Sequence, residues 1–183
     1  MSAAAELPAT LPGHRRLFFA LWPDAALRAD LVEAFGAAAS TAGGRAVVPQ
    51  NLHVTLEFLG PVAASRLDEL AALGAATSLP GASLRLDTLE WWPRPALRVA
   101  GTSRPASALL DLQAQLRLKL GEQGFRVDSR AFRPHLTLAR DVRVAPSPSS
   151  VAVIDWPLTE LALVESHAQP GGSRYTALAR WSR

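Results

Sequence analysis

Two tetrapeptides carry the reactive side chains of this 183-residue chain: His53-Val54-Thr55-Leu56 and His135-Leu136-Thr137-Leu138. Side chains alternate along an extended strand. Each histidine therefore shares a face with the threonine two residues on, while the aliphatic pair backs onto a core. By the same alternation Glu57 joins His53 and Thr55. An imidazole, with an ordinary pKa of about 6.5, takes or gives a proton near neutral pH. A threonine hydroxyl can donate a hydrogen bond to a phosphate oxygen. Two such pairs meeting in one cleft suit in-line displacement at phosphorus, in which one group removes a proton from the attacking water while the other delivers one to the departing oxygen. A single copy reads as an ordinary strand with a satisfied histidine. A second copy, in a chain with four histidines, argues against coincidence.

The elements that position these residues are short. An aromatic and aliphatic run over 16–22 (RLFFALW) predicts a buried strand, and Pro23 and Asp24 then supply helix-start chemistry for a helix to about residue 39. Residues 51–60 (NLHVTLEFLG) alternate as a strand, and Ser65 sets the cap spacing of a helix to about 76. Residues 83–92 and 96–101 read as two strands joined at Pro93-Arg94-Pro95, followed by a helix over 105–120 with Leu109, Leu112, Leu116 and Leu120 on its inner stripe. A strand over 132–140 carries the second motif. A Pro/Ser-rich loop over 144–150 and a strand pair around Gly171-Gly172 close the chain. Strand, helix and HVTL strand are thus followed by strand, helix and HLTL strand. This order predicts an α+β fold, a bilobal pseudo-symmetric duplication with two antiparallel sheets facing a central cleft and helices packed outside. Residues 1–14, including an inert His14, read as a flexible tail, and 15–183 as one bilobal domain.

Composition narrows the chemistry. Without cysteine there is no disulfide, no thiolate nucleophile and no sulfur-ligated zinc, which is compatible with a reducing cytoplasm. No apolar run approaches the roughly 20 residues that cross a bilayer, and the N-terminus lacks the apolar stretch of a secretion signal, so a soluble, cytoplasmic protein without a membrane partner is expected. Lys119 is the single lysine among 19 basic side chains. The rest are arginines, whose planar fork matches phosphate oxygens, although general Arg-rich usage accounts for this equally well.

Several residues allow a structural reading beside a functional one. Trp91 and Trp92 could stack on a base, but an adjacent pair entering a turn more commonly puts one ring over a core edge and the other in solvent. Glu57 could orient His53 or sit on a half-exposed strand, and Tyr175 could touch a nucleotide or close the last strand pair. His167 lacks a threonine two residues on and is expected to be structural.

Together with RLFFALW, NLHVTLEFLG, FRPHLTLAR and SRYTALARW, the two motifs make nearly the whole chain resemble the 2H phosphoesterase superfamily, in particular the bacterial RNA 2',3'-cyclic phosphodiesterases once named 2'-5' RNA ligases. The resemblance implies a bilobal α+β fold and hydrolysis of 2',3'-cyclic phosphate ends of RNA or nucleotides to 2'-phosphates. It implies no metal and no cofactor and, in some members, reversible 2'-5' joining of RNA ends. It makes His53 the general acid and His135 the base, or the reverse, with Thr55 and Thr137 on the phosphate. It also places near the nucleotide an arginine after the second motif, Arg140, and an aromatic of the first strand, Phe18 or Phe19, of which Phe19 is the one assigned. In an unbroken strand Arg140 faces away from His135, so its role requires the strand to bend or end there. A monomer is expected. The competing readings are a noncatalytic module that binds RNA ends and a metal-dependent hydrolase built on His53, Glu57 and His135.

Overall fold

The structure, a computed structural model, describes residues 12–147 and 150–183. The predicted tail falls largely outside the described residues. His14, however, belongs to the first strand, β1 (His14–Leu21), where it pairs with Ala63, so this strand begins earlier than Arg16. The helix α1 (Ala25–Ser40) starts where the sequence places it, because the Asp24 carboxylate accepts the Leu27 backbone N–H at 2.8 Å. After the two-residue strand β2 (Arg45–Ala46) and a 3₁₀ turn over Pro49–Asn51, the strand β3 (Val54–Ala63) antiparallels β1. The helix α2 (Leu67–Ala75) lacks the Ser65 cap. A 3₁₀ turn over Ala64–Arg66 leads into it, and Arg66 instead pairs with Glu69.

Residues 83–92 form two strands rather than one. The Asp87 carboxylate accepts both the backbone N–H and the hydroxyl of Ser103, at 2.7 and 2.6 Å, which ends β4 (Ser83–Leu86) and sends β5 (Thr88–Trp92) into another sheet. Next come β6 (Leu97–Gly101), α3 (Ser107–Glu122) and β7 (Leu136–Arg140), then β8 (Ile154–Pro157), β9 (Glu160–Gln169) and β10 (Gly172–Ser182). One sheet has the order β10-β9-β1-β3 and the other β2-β7-β6-β5, with β4 and β8 as a separate ribbon. Every pairing is antiparallel, as the predicted duplication requires.

The equivalence of the halves is visible in strand order, since β3-β1-β9 repeats as β7-β6-β5. The helices are exchanged: α1 follows β1 yet packs against β7, and α3 follows β6 yet packs against β3. The second sheet therefore packs under a helix from the first half, and the first sheet under α3 from the second half together with α2, which covers β9 and β10. The result is one core containing Leu17, Phe19 and Leu21 of β1, Leu56 of β3, Leu136 and Leu138 of β7, Phe35 of α1 and Leu116 of α3. No helix among the described residues is long and apolar enough to cross a membrane.

Candidate active site

Both motif histidines stand immediately before their strands, and the two are held in the same way. Nδ1 of His53 lies 2.7 Å from the Asn51 carbonyl, and Nδ1 of His135 lies 2.7 Å from the Arg133 carbonyl. A carbonyl oxygen only accepts. Nδ1 therefore carries the proton in both rings, leaving Nε2 as the nitrogen that can exchange one with a substrate. The Thr55 hydroxyl, 3.1 Å from Nε2 of His53, donates to it.

A second shared device follows the threonines. In the β1–β3 ladder Ala20 faces Thr55 but Phe19 faces Glu57, leaving Leu56 as an inserted residue. In the β6–β7 ladder Val99 faces Thr137 but Arg98 faces Ala139, leaving Leu138 inserted. A bulge at the fourth motif position resets the alternation in each copy, so the next residue on the motif face lies three beyond the threonine. Arg140 is thereby brought into the cavity of about 520 Å³ that also contains His53 and Thr137. This is the bend that its predicted role needs. Phe58, its counterpart in the first copy, lines a neighbouring cavity of about 390 Å³ with Thr55 and His135. Each threonine thus shares a cavity with the histidine of the other motif.

The same bulge takes Glu57 away from His53. Its carboxylate is 1 % exposed and accepts from Gln113 Nε2 at 2.8 Å, Arg117 Nε at 2.9 Å and the Asp128 backbone N–H at 2.7 Å. The expected common face of His53, Thr55 and Glu57 does not form. Phe19, chosen from the sequence as the nucleotide contact, is also placed otherwise. It is fully buried in the main core, while Phe18 on the opposite face of β1 lies 4.9 Å from the His53 ring. Trp22 stacks at 5.9 Å and Tyr175 meets the same ring edge-on at 5.0 Å. Asn51 ties this corner to β10, donating to the Ser173 carbonyl and accepting the Tyr175 N–H.

Around His135 the tryptophan pair divides. Trp91 donates to the Val142 carbonyl and covers a small cluster with Ala42 and Ala139, whereas Trp92 lies 4.6 Å from His135. Glu90 accepts from both Trp92 and Arg133, and the Arg133 guanidinium sits 4.5 Å over the Trp92 ring. Thus Arg133, whose carbonyl orients His135, is itself clamped. Trp22, Phe58, Asn51 and Arg133 were not marked by sequence pattern. Only Phe58 carried a usable signal, as the position equivalent to Arg140. His167 lies apart, 3.7 Å from Glu165 on β9, and His14 contacts the Pro12 carbonyl.

Burial among aromatic rings pushes His53 down to about 4, aided by the positive charges of Arg140 and His135 and opposed by the Asn51 carbonyl. His135 is also lowered, first by burial and then by Arg133 and Arg140, against the pull of the Arg133 carbonyl and Glu90. The positive charge of Arg140 thus lowers both rings. The depressed folded-state pKa has a thermodynamic sign: this ring's contribution is fully present above pH 6.5 and is lost as pH falls from 6.5 through 4. After allowance for solvent contact it amounts to on the order of 2 kcal/mol. His53→Gln is expected to flatten that part of the stability curve, measured by urea denaturation at a series of pH values. An unchanged acid slope would assign it to other groups. Among the described residues no group of three or more His, Cys, Asp or Glu forms a metal-binding cluster.

The chain is similar in sequence and fold to known proteins. A family model described as the 2'-5' RNA ligase superfamily matches residues 23–170. The RNA 2',3'-cyclic phosphodiesterase of Escherichia coli (strain K12) is 34% identical over 173 residues, covering 92% of this chain and 96% of that protein. The protein of the same name from Thermus thermophilus is 35% identical over 179 residues, covering 91% and 89%. The crystal structure of E. coli LigT complexed with 3'-AMP superposes with a TM-score of 0.77 at 32% identity, over 92% of this chain and 98% of that one.

Proposed function

The chain belongs to the 2'-5' RNA ligase superfamily, and on that premise we propose that it hydrolyses 2',3'-cyclic phosphate ends of RNA or nucleotides to 2'-phosphates without a metal or cofactor. The observation that carries the reading is the duplicated setting of His53 and His135, each with Nδ1–H fixed on a carbonyl two residues back and each sharing a cavity with the other motif's threonine. Water attacks phosphorus as the bond to the ribose 3'-oxygen breaks. His135 takes the water proton and His53 protonates the 3'-oxygen, the assignment that family resemblance implies. Thr55, Thr137 and Arg140 stabilise the charge on the nonbridging oxygens. For this Thr55 must turn its hydroxyl from His53 to the phosphate. Both rings are largely neutral before binding, and the anionic phosphate favours uptake of the proton that the acid then delivers.

Run with an RNA 5'-hydroxyl in place of water, the same displacement joins ends through a 2'-5' linkage. The roughly 390 Å³ beside His135 exceeds the ~30 Å³ share of one water and has room for such an acceptor. The reading takes the enzyme as a cytoplasmic monomer. Product analysis on an oligonucleotide with a 2',3'-cyclic end, with and without a chelator, tests it. A 2'-phosphate formed at equal rates in both is expected. Activity that disappears with chelator and returns with metal overturns the metal-free mechanism, and tight binding without product favours a noncatalytic RNA-end module.

A further inference from the structure

Arg45 and Arg140 stand directly opposite one another in the β2–β7 ladder. Residues so paired send their side chains from the same face of a sheet, with Cβ atoms about 5 Å apart, and like charges in that position repel. Among the described residues Arg140 has no carboxylate partner, and Arg45 has Asp141 at 3.3 Å, a pair whose side chains are 46% and 66% exposed. An exposed pair of this kind offsets little of the repulsion. Both arginines line the same cavity as His53. The Arg45 guanidinium also reaches across from its own sheet to Gly172, at the tip of the β9–β10 hairpin of the other sheet, where a side chain would collide with it. Arg45 thus links β2 to the β9–β10 hairpin across a cavity that His53, Thr137 and Arg140 also line.

We propose that Arg45 forms a second phosphate subsite, which holds the phosphodiester one nucleotide upstream of the cyclic end and makes an oligonucleotide the preferred ligand. The inference rests on the cyclic-phosphodiesterase reading and extends it. If His53 protonates the departing 3'-oxygen, the ribose lies on the His53 side of phosphorus, and the 5'-phosphate of that nucleotide runs into the cavity closed by Arg45. The paired arginines then meet successive phosphates of one strand. A nucleoside cyclic phosphate has a phosphate for Arg140 alone, whereas a dinucleotide with a cyclic end has one for each.

Steady-state hydrolysis of adenosine 2',3'-cyclic phosphate and of the dinucleotide ApA with a 2',3'-cyclic end separates the two readings. The wild-type protein is expected to favour the dinucleotide in kcat/KM by about tenfold, mainly through KM, the size of one charge-assisted hydrogen bond. The log–log salt dependence for the dinucleotide should be steeper by about 0.7, the counterion release of one extra phosphate contact. Arg45→Gln should bring the preference close to one, and Arg45→Lys should retain part of it, because charge persists without the fork. Equal hydrolysis of both substrates with equal salt slopes, or an undiminished preference in Arg45→Gln, overturns the subsite alone. Hydrolysis of neither by the wild type overturns the cyclic-phosphodiesterase reading. The wild-type salt slopes decide the matter even if the glutamine variant folds poorly.

Discussion

Alanine in place of either His53 or His135 is expected to lower kcat on a 2',3'-cyclic nucleotide by roughly 10³-fold or more, with the double variant little worse than either single one. A positioned proton-transfer group is typically worth about 10²- to 10⁴-fold. Groups that act in one concerted displacement lose most of their joint effect when either is removed, so their effects do not multiply. The geometry makes the pair interdependent, because each histidine shares its cavity with the other motif's threonine. Both rings are half-buried at the cleft rather than sealed in the core, so the fold should survive either change. The check is single-turnover hydrolysis of both variants and the double variant, with circular dichroism to establish folding. A folded variant retaining more than a tenth of wild-type turnover would refute the pairing.

The second large effect is on stability. Glu57→Ala is expected to destabilise the protein by about 3 to 5 kcal/mol, the usual result of removing one partner from a buried, hydrogen-bonded charge pair. The carboxylate accepts from three places, Gln113 and Arg117 on α3 and the Asp128 backbone N–H. Gln113 is 4 % exposed, so little water replaces what it loses. Arg117 also donates to the Arg130 carbonyl, extending the tie along the irregular segment that leads to His135. For a chain of this length the cost corresponds to a fall in Tm of roughly 10 °C. Glu57→Gln should fall between, because its amide keeps one acceptor oxygen but sets an N–H₂ against the remaining donors. A Glu57→Ala protein within about 1 kcal/mol of wild type in chemical denaturation would show that the network bears no weight.

These two expectations concern residues four apart on one stretch of chain, yet one faces the cleft and the other the packed interior. Strict alternation puts His53 and Glu57 on one face. The bulge at Leu56 separates them, and its counterpart at Leu138 turns Arg140 inward. One local irregularity, used twice, thus withdraws a carboxylate from the histidine face and supplies a cation to the His53 cavity. Both changes suit an anionic substrate.

The paired His-x-Thr motifs and the short strands and helices that carry them were determined by the sequence alone, because each depends on residue type and on periodicities of two or 3.6 within a short segment, and the order of those elements gave the α+β duplication. The tertiary structure decided the rest. Residues 17–22 are apolar throughout and β1 is buried on both faces from Leu17 on, so no alternation could tell Phe18 from Phe19. Trp92 rather than Trp91 reaches His135, Glu57 finds its donors 56 to 71 residues away, and Arg45 meets Arg140 across a ladder. Each of these outcomes is set by the register between strands and helices far apart in the chain, and a one-residue change in that register, which no local pattern records, turns a side chain from core to cleft.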